Sequence, residues 1–245
     1  VDRRDTALTL PWMGSGTELL VRAVNALPDD ALRAPSALPG WTRAHVVAHV
    51  ARNAEALTRL ATWARTGIET PMYPSREHRA AEIESSAQAP ADVLRAELVS
   101  TAADLDAALA ALDEATWQAE VRSALGRPLP ATEIPWMRVR EVWLHAVDLD
   151  AGVSVSDIAP EVVDTLLDDS TGTLSAAEGC PSVLLAPTDR DRTWTLGPAS
   201  DAPLQVRGEA AQVLGWLVGR CGPDAVEAVT ADGAPTAVPA PPRWL

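Results

Sequence analysis

Glu141-Val142-Trp143-Leu144-His145 sets a carboxylate and an imidazole four residues apart, inside a segment from Trp136 to Leu149 that reads as helix. Four residues turn an α-helix by about 400°, so both side chains leave one face about a turn apart. A second helical segment, from Ala44 to Arg65, carries His45 and His49, again four apart. An acid and histidines on facing helices form a ready ligand set for a divalent metal with one coordination position open. By spacing alone His45, His49 or both can join Glu141 and His145. The plainer alternatives are a core histidine at His49, set among Val46, Val47 and Val50, and a surface Glu141–His145 pair worth a few tenths of a kcal/mol. Against them stands the cost of a carboxylate in a largely apolar helix, which needs a cation or donors, or else stays protonated. Two histidines and a carboxylate suit zinc and non-haem iron alike. Asp148 is placed either to accept from a ligand imidazole or to face solvent.

Outward from these segments, most of the first 150 residues reads as helix. Thr17 to Leu27 has one apolar face, and Pro28-Asp29-Asp30 ends it. Thr42 is placed to cap the His49 helix, which Gly67 stops near Thr66. Ser75 to Ser86 reads as a polar helix, and the segment after Pro90 to about Leu112 as a long amphipathic one. Leu125 to Pro135 is proline-rich and reads as extended. Long helices joined this way predict a four-helix bundle with long crossovers over residues 1–153. Residues 154–245 change character. A helix from Pro160 to about Ala177 precedes two strands, 182–186 and 192–196, around a polar turn. Leu204 to Arg207 is a candidate third strand, Glu209 to Arg220 a helix, and Pro235 to Pro242 an extended tail. The expected fold class is mainly α with a smaller C-terminal α+β domain.

The chain has 245 residues, 47% of them hydrophobic, enough for real cores. No apolar run approaches the roughly 20 residues that cross a bilayer, and no signal-peptide pattern is seen, so a cytoplasmic, membrane-free protein is expected. The net charge is −14, and all 20 basic residues are Arg. That acidity argues against nucleic acid, which needs a basic surface. It also means that an anionic substrate requires specific arginines to overcome the general repulsion. Cys180 and Cys221 do not make a disulfide framework and lie in no CxxC, so the protein's own thiols are poor candidates for chemistry. Oligomeric state is left open, with a monomer as the simplest expectation.

Pro39-Gly40-Trp41-Thr42-Arg43-Ala44-His45-Val46-Val47-Ala48-His49-Val50-Ala51-Arg52-Asn53 resembles the first metal-ligand helix of mycothiol-dependent maleylpyruvate isomerases, members of the DinB-like metal-binding bundle superfamily. Met137 to Asp150 is similar to that family's second ligand helix, and Gly208 to Arg220 resembles its C-terminal-domain helix. The more specific part is Thr62 to Gly67 followed by Pro71-Met72-Tyr73-Pro74-Ser75. The resemblance runs in order over nearly the whole chain. It implies a DinB-like bundle and zinc held by His49, Glu141 and His145, so that His49 rather than His45 is the ligand. It implies mycothiol, a cysteine-bearing sugar thiol, as co-substrate. It further implies Arg220 as a catalytic and substrate-binding residue, and more weakly Arg79, with Tyr73 in the turn before it, as substrate-binding.

The activity implied is conversion of maleylpyruvate to fumarylpyruvate in aromatic (gentisate) degradation. A thiolate adds to the alkene, the resulting single bond rotates, and elimination restores the alkene as trans. Two other readings share the bundle. A mycothiol S-transferase acting on electrophiles would release a stable adduct. A non-catalytic small-molecule-binding protein would use the metal only as a staple, with a fourth protein ligand, for which His45 is the obvious candidate.

Overall fold

The computed structural model describes residues 2–244, which fall into two compact units, Val1–Val153 and Ser154–Leu245. In the first unit α1 (Thr6–Ala26), α2 (Arg43–Thr66), α4 (Ala91–Ala110) and α6 (Ile134–Asp148) form a bundle. The order around it is α1–α6–α2–α4, with α3 (Arg76–Ala87) laid against α2. The core runs along the seam between α2 and its neighbours. Val46, Val47, Val50, Leu57 and Leu60 from α2 and Leu94, Leu98, Leu105 and Leu109 from α4 are buried there. Each such leucine contributes about 2 kcal/mol relative to an exposed one.

Local chemistry sets the ends of α2. Thr42 accepts from the His45 backbone N–H, and the His45 ring returns the bond to the Thr42 backbone, a reciprocal cap. Gly67 at φ +71° closes the other end in the left-handed conformation that glycine adopts freely. α6 is fixed against α1 by a close approach at Gly16. A Cβ there would come within 2.6 Å of Val142 Cγ2 and 2.7 Å of Trp143 Nε1. The same indole N–H donates to the Trp12 carbonyl at 2.9 Å.

Two expectations for this unit are revised. α1 begins at Thr6, not Thr17, with Asp5 capping it and Pro11 inside. At the sixth helical position Pro11 forgoes the bond to the Ala7 carbonyl and crowds that carbonyl, a cost the helix carries in its second turn. The segment 125–135 is not simply extended. Strands β1 (Glu120–Arg122) and β2 (Pro128–Pro130) form a small antiparallel hairpin, and α6 starts at Ile134 with a proline in its first turn, where the missing N–H has no helical partner to lose. A four-residue helix, α5 (Glu114–Trp117), precedes the hairpin.

The second unit is α+β, with α7 (Pro160–Leu174), a five-stranded sheet and α8 (Ala210–Leu217). The strands are β3 (Val183–Leu185), β4 (Trp194–Leu196), β5 (Leu204–Arg207), β6 (Glu227–Val229) and β7 (Pro235–Thr236). Their order is β4-β3-β5-β6-β7, with β3 and β5 parallel and the other pairs antiparallel. Val183, Leu185, Leu196 and Val206 bury one side of each strand, and Val213, Leu214 and Leu217 are buried on α8. The expected extended tail enters the sheet edge as β7, and β6 was not anticipated. α8 also ends earlier than expected, at Leu217. Gly219 takes φ +76°, and the Arg220 and Cys221 N–H groups turn back onto the Gly215 carbonyl at 2.7 and 3.0 Å.

Candidate metal centre

His49 sits near the start of α2, Glu141 and His145 on the facing side of α6. His49 Nε2 lies 2.9 Å from Glu141 Oε2, and His145 Nε2 lies 3.2 Å from the same oxygen. One ligand atom from each of the three residues falls within 4.8 Å of the others. Atoms bound 2.0–2.1 Å from a tetrahedral zinc are about 3.3 Å apart. The donor set therefore fits a zinc-sized ion by spacing and by type. His49 is buried, while Glu141 and His145 are partly exposed, so the cluster is open on one side.

Asp148 is buried and its Oδ2 is 2.9 Å from His145 Nδ1. That bond places the proton on Nδ1 and aims Nε2 at the cluster, the usual way an outer carboxylate orients a ligand imidazole. Of the two readings of Asp148, the solvent-facing one is set aside. His45 is engaged elsewhere. Its Nδ1 serves the Thr42 cap, and its Nε2 lies 3.1 Å from Glu84.

The charges explain how an acid and two histidines share this space. Burial would raise the Glu141 carboxyl, but the His49 charge and hydrogen bonds from both imidazoles hold it well below the usual carboxylate range. Burial lowers His49 despite Glu141. Burial also opposes charge on His145, yet the bonds to Asp148 and Glu141 outweigh it and raise the imidazole to about 9.

Arg79 on α3 reaches this cluster. Its Nη2 is 3.3 Å from His49 Nδ1, and its guanidinium lies over the Tyr73 ring at 5.6 Å, with Arg59 5.9 Å from the same ring. Arg220 belongs to the second unit, just past α8, and donates to the Val218 carbonyl at 2.7 Å. Two neighbours of the cluster escaped the sequence reading. Trp41 meets His49 edge-on at 5.6 Å and stacks beside His45 at 6.2 Å. Its place in the loop just before the Thr42 cap was the available signal. Arg138, one turn before Glu141 on α6, is buried and bonds to α2. No local signal marks it, since Arg140 and Glu141 follow it on the same helix.

Residues 14–150 match the family described as mycothiol maleylpyruvate isomerase N-terminal domain. The whole chain is similar to a crystal structure of a mycothiol-dependent maleylpyruvate isomerase, at 37% identity and TM-score 0.89 over 96% of this chain and 95% of that one. It is equally similar to a histidine-to-alanine mutant of such an isomerase, at 36% identity and TM-score 0.88 with the same coverage. No curated protein matches the chain. A likeness that spans both units, together with the family match over most of the bundle, means that the chain belongs to the mycothiol-dependent maleylpyruvate isomerase family.

Proposed function

We propose that the protein is a zinc- and mycothiol-dependent isomerase that converts maleylpyruvate to fumarylpyruvate in aromatic degradation, with His49, Glu141 and His145 as the metal ligands. The observation that carries this reading is the convergence of two imidazole nitrogens on one carboxylate oxygen, in a chain similar over nearly its full length to an enzyme of that description. The protein's own thiols do not compete for the role of nucleophile, since burial pushes both Cys180 and Cys221 up and away from thiolate. A bound zinc would deprotonate a visiting thiol, of which only about 3% is thiolate at neutral pH when free. Addition of that sulfur to one alkene carbon leaves a single bond free to rotate, and elimination restores the alkene as trans.

The residues around the cluster have defined tasks in this scheme. Asp148 keeps His145 oriented, and Trp41 walls one side of His49 against water. Arg79 now donates to His49 Nδ1, which requires that nitrogen to be unprotonated. An imidazole coordinated through Nε2 carries its proton on Nδ1 and no longer accepts from Arg79. The guanidinium is then free to pair with a substrate carboxylate in its planar fork. Burial raises the Tyr73 phenol against the pull of Arg79, so it remains a hydrogen-bond donor at neutral pH. Family membership, rather than any contact with the cluster, is the ground on which Arg220 of the second unit is proposed for the substrate carbonyl that becomes an enolate. The test is to supply maleylpyruvate with and without mycothiol and to follow fumarylpyruvate. Isomerisation that ignores the thiol rejects the reading, and accumulation of a stable thiol adduct replaces it with a transferase.

A further inference from the structure

Arg138 is 1% exposed, the one arginine among the fully buried large side chains of the described residues. It lies three residues before Glu141 and seven before His145, which puts all three on one stripe of α6. Its Nη1 crosses to α2 and donates to the Val50 carbonyl at 2.7 Å and to Asn53 Oδ1 at 2.9 Å. Val50 is the residue after His49. Arg138 therefore ties α6 to α2 beside the point where His49 faces Glu141.

This contact is an expensive way to hold two helices together. A buried guanidinium is desolvated, and its Nη2 has no hydrogen-bond partner among the described residues. Burial draws the group down to about 10 against the charges of Glu141 and Asp106, so it stays cationic at neutral pH. An apolar side chain of similar volume would pack the seam at no such penalty. What the guanidinium supplies and an apolar group cannot is a fixed distance and orientation between the helix of His49 and the helix of Glu141 and His145. Metal sites need that fixing to within about 0.5 Å.

We propose that Arg138 is a positioning residue that sets the spacing of the metal-ligand helices through its bonds to Val50 and Asn53. This rests on the metal reading above. The test uses the full chain with zinc and cobalt ions, comparing wild type with Arg138→Met, Arg138→Lys and Asn53→Ala by equilibrium dialysis and by the cobalt visible spectrum. Thermal melting of the metal-free chains is followed alongside. Arg138→Met is expected to melt within a few degrees of wild type, to bind zinc about tenfold or more weakly, as losses of groups that orient ligands do, and to give an altered cobalt spectrum. Arg138→Lys keeps one donor on a flexible stem and recovers part of the affinity. Wild-type zinc affinity and cobalt spectrum in a folded Arg138→Met overturn the proposal, and so does affinity lost only in step with unfolding. Should Arg138→Met not fold, Asn53→Ala decides, because it removes one of the two acceptors while keeping the arginine. A weaker site with a changed spectrum upholds the proposal, and an unchanged site overturns it. A wild-type chain that takes up no zinc defeats the metal reading itself, a result distinct from wild type and variants binding equally well.

Discussion

His145 is held between two carboxylates, Asp148 on Nδ1 and Glu141 on Nε2, and this makes the centre a proton sink when metal-free. Its folded value of about 9 lies above the ordinary histidine value near 6.5. The resulting stability is complete below about pH 6.5 and is lost as the pH rises through about 9. The metal-free chain should thus melt at a lower temperature at about pH 9.5 than at pH 6.5, with a flatter dependence once metal is bound. Coordination through Nε2 displaces that proton, so zinc binding near pH 7 should release it, and calorimetry in buffers of different ionisation enthalpy measures this directly. A binding enthalpy indifferent to buffer contradicts the assignment. Arg79→Ala should keep zinc affinity and raise KM for maleylpyruvate by about 10- to 100-fold, the worth of one charge-assisted hydrogen bond. An unchanged KM removes Arg79 from substrate binding. The sequence left His45 and His49 open by spacing, because they stand four apart on one helix. Thr42-Arg43-Ala44-His45 is nonetheless a capping pattern with histidine in the usual acidic place, and that commits His45 to the helix end. Nothing so local marks Arg138, whose partners lie on another helix.

α2 and α6 carry the candidate ligands, and each is placed by contacts distant from them. Thr42→Ala removes the side-chain acceptor for the His45 N–H in the first turn of α2 and should cost about 1 kcal/mol, read from denaturant midpoints. Gly16→Ala forces a methyl against Val142 and Trp143, the two residues that follow Glu141, and should cost about 1–3 kcal/mol by overpacking. It should also weaken zinc binding, since the shift is delivered to α6. A neutral Gly16→Ala in both measurements means that α1 gives way instead. The long helices α2 and α4 were legible because their apolar positions recur over several turns. The first turns of α1 carry no such stripe before Thr17, so its start was missed. The β1–β2 hairpin is only three residues a side, too short for alternation to register.

At the scale of the molecule the same limit applies to the second unit, whose strands are two to four residues long. β6 and β7 are recognisable only by what they pair with, and pairing is not a local property of sequence. Charge, by contrast, is fully readable from composition and acts over the whole surface. A chain of net charge −14 repels the dianion it is proposed to bind, and it does so at distances where Arg79 and Arg220 are not yet felt individually. Raising ionic strength from about 0.01 to about 0.15 M shortens the screening length from about 30 to about 8 Å. The general repulsion is then largely removed, while contacts made at hydrogen-bond distance inside the site are weakened far less. kcat/KM for maleylpyruvate should therefore rise several-fold over that range at saturating thiol, with kcat changing little. The alternative is that arginines near the entrance reverse the local field, in which case salt lowers kcat/KM instead. Initial rates at the two ionic strengths distinguish these outcomes, and a fall would mean that the net charge is a poor guide to what the substrate meets on approach.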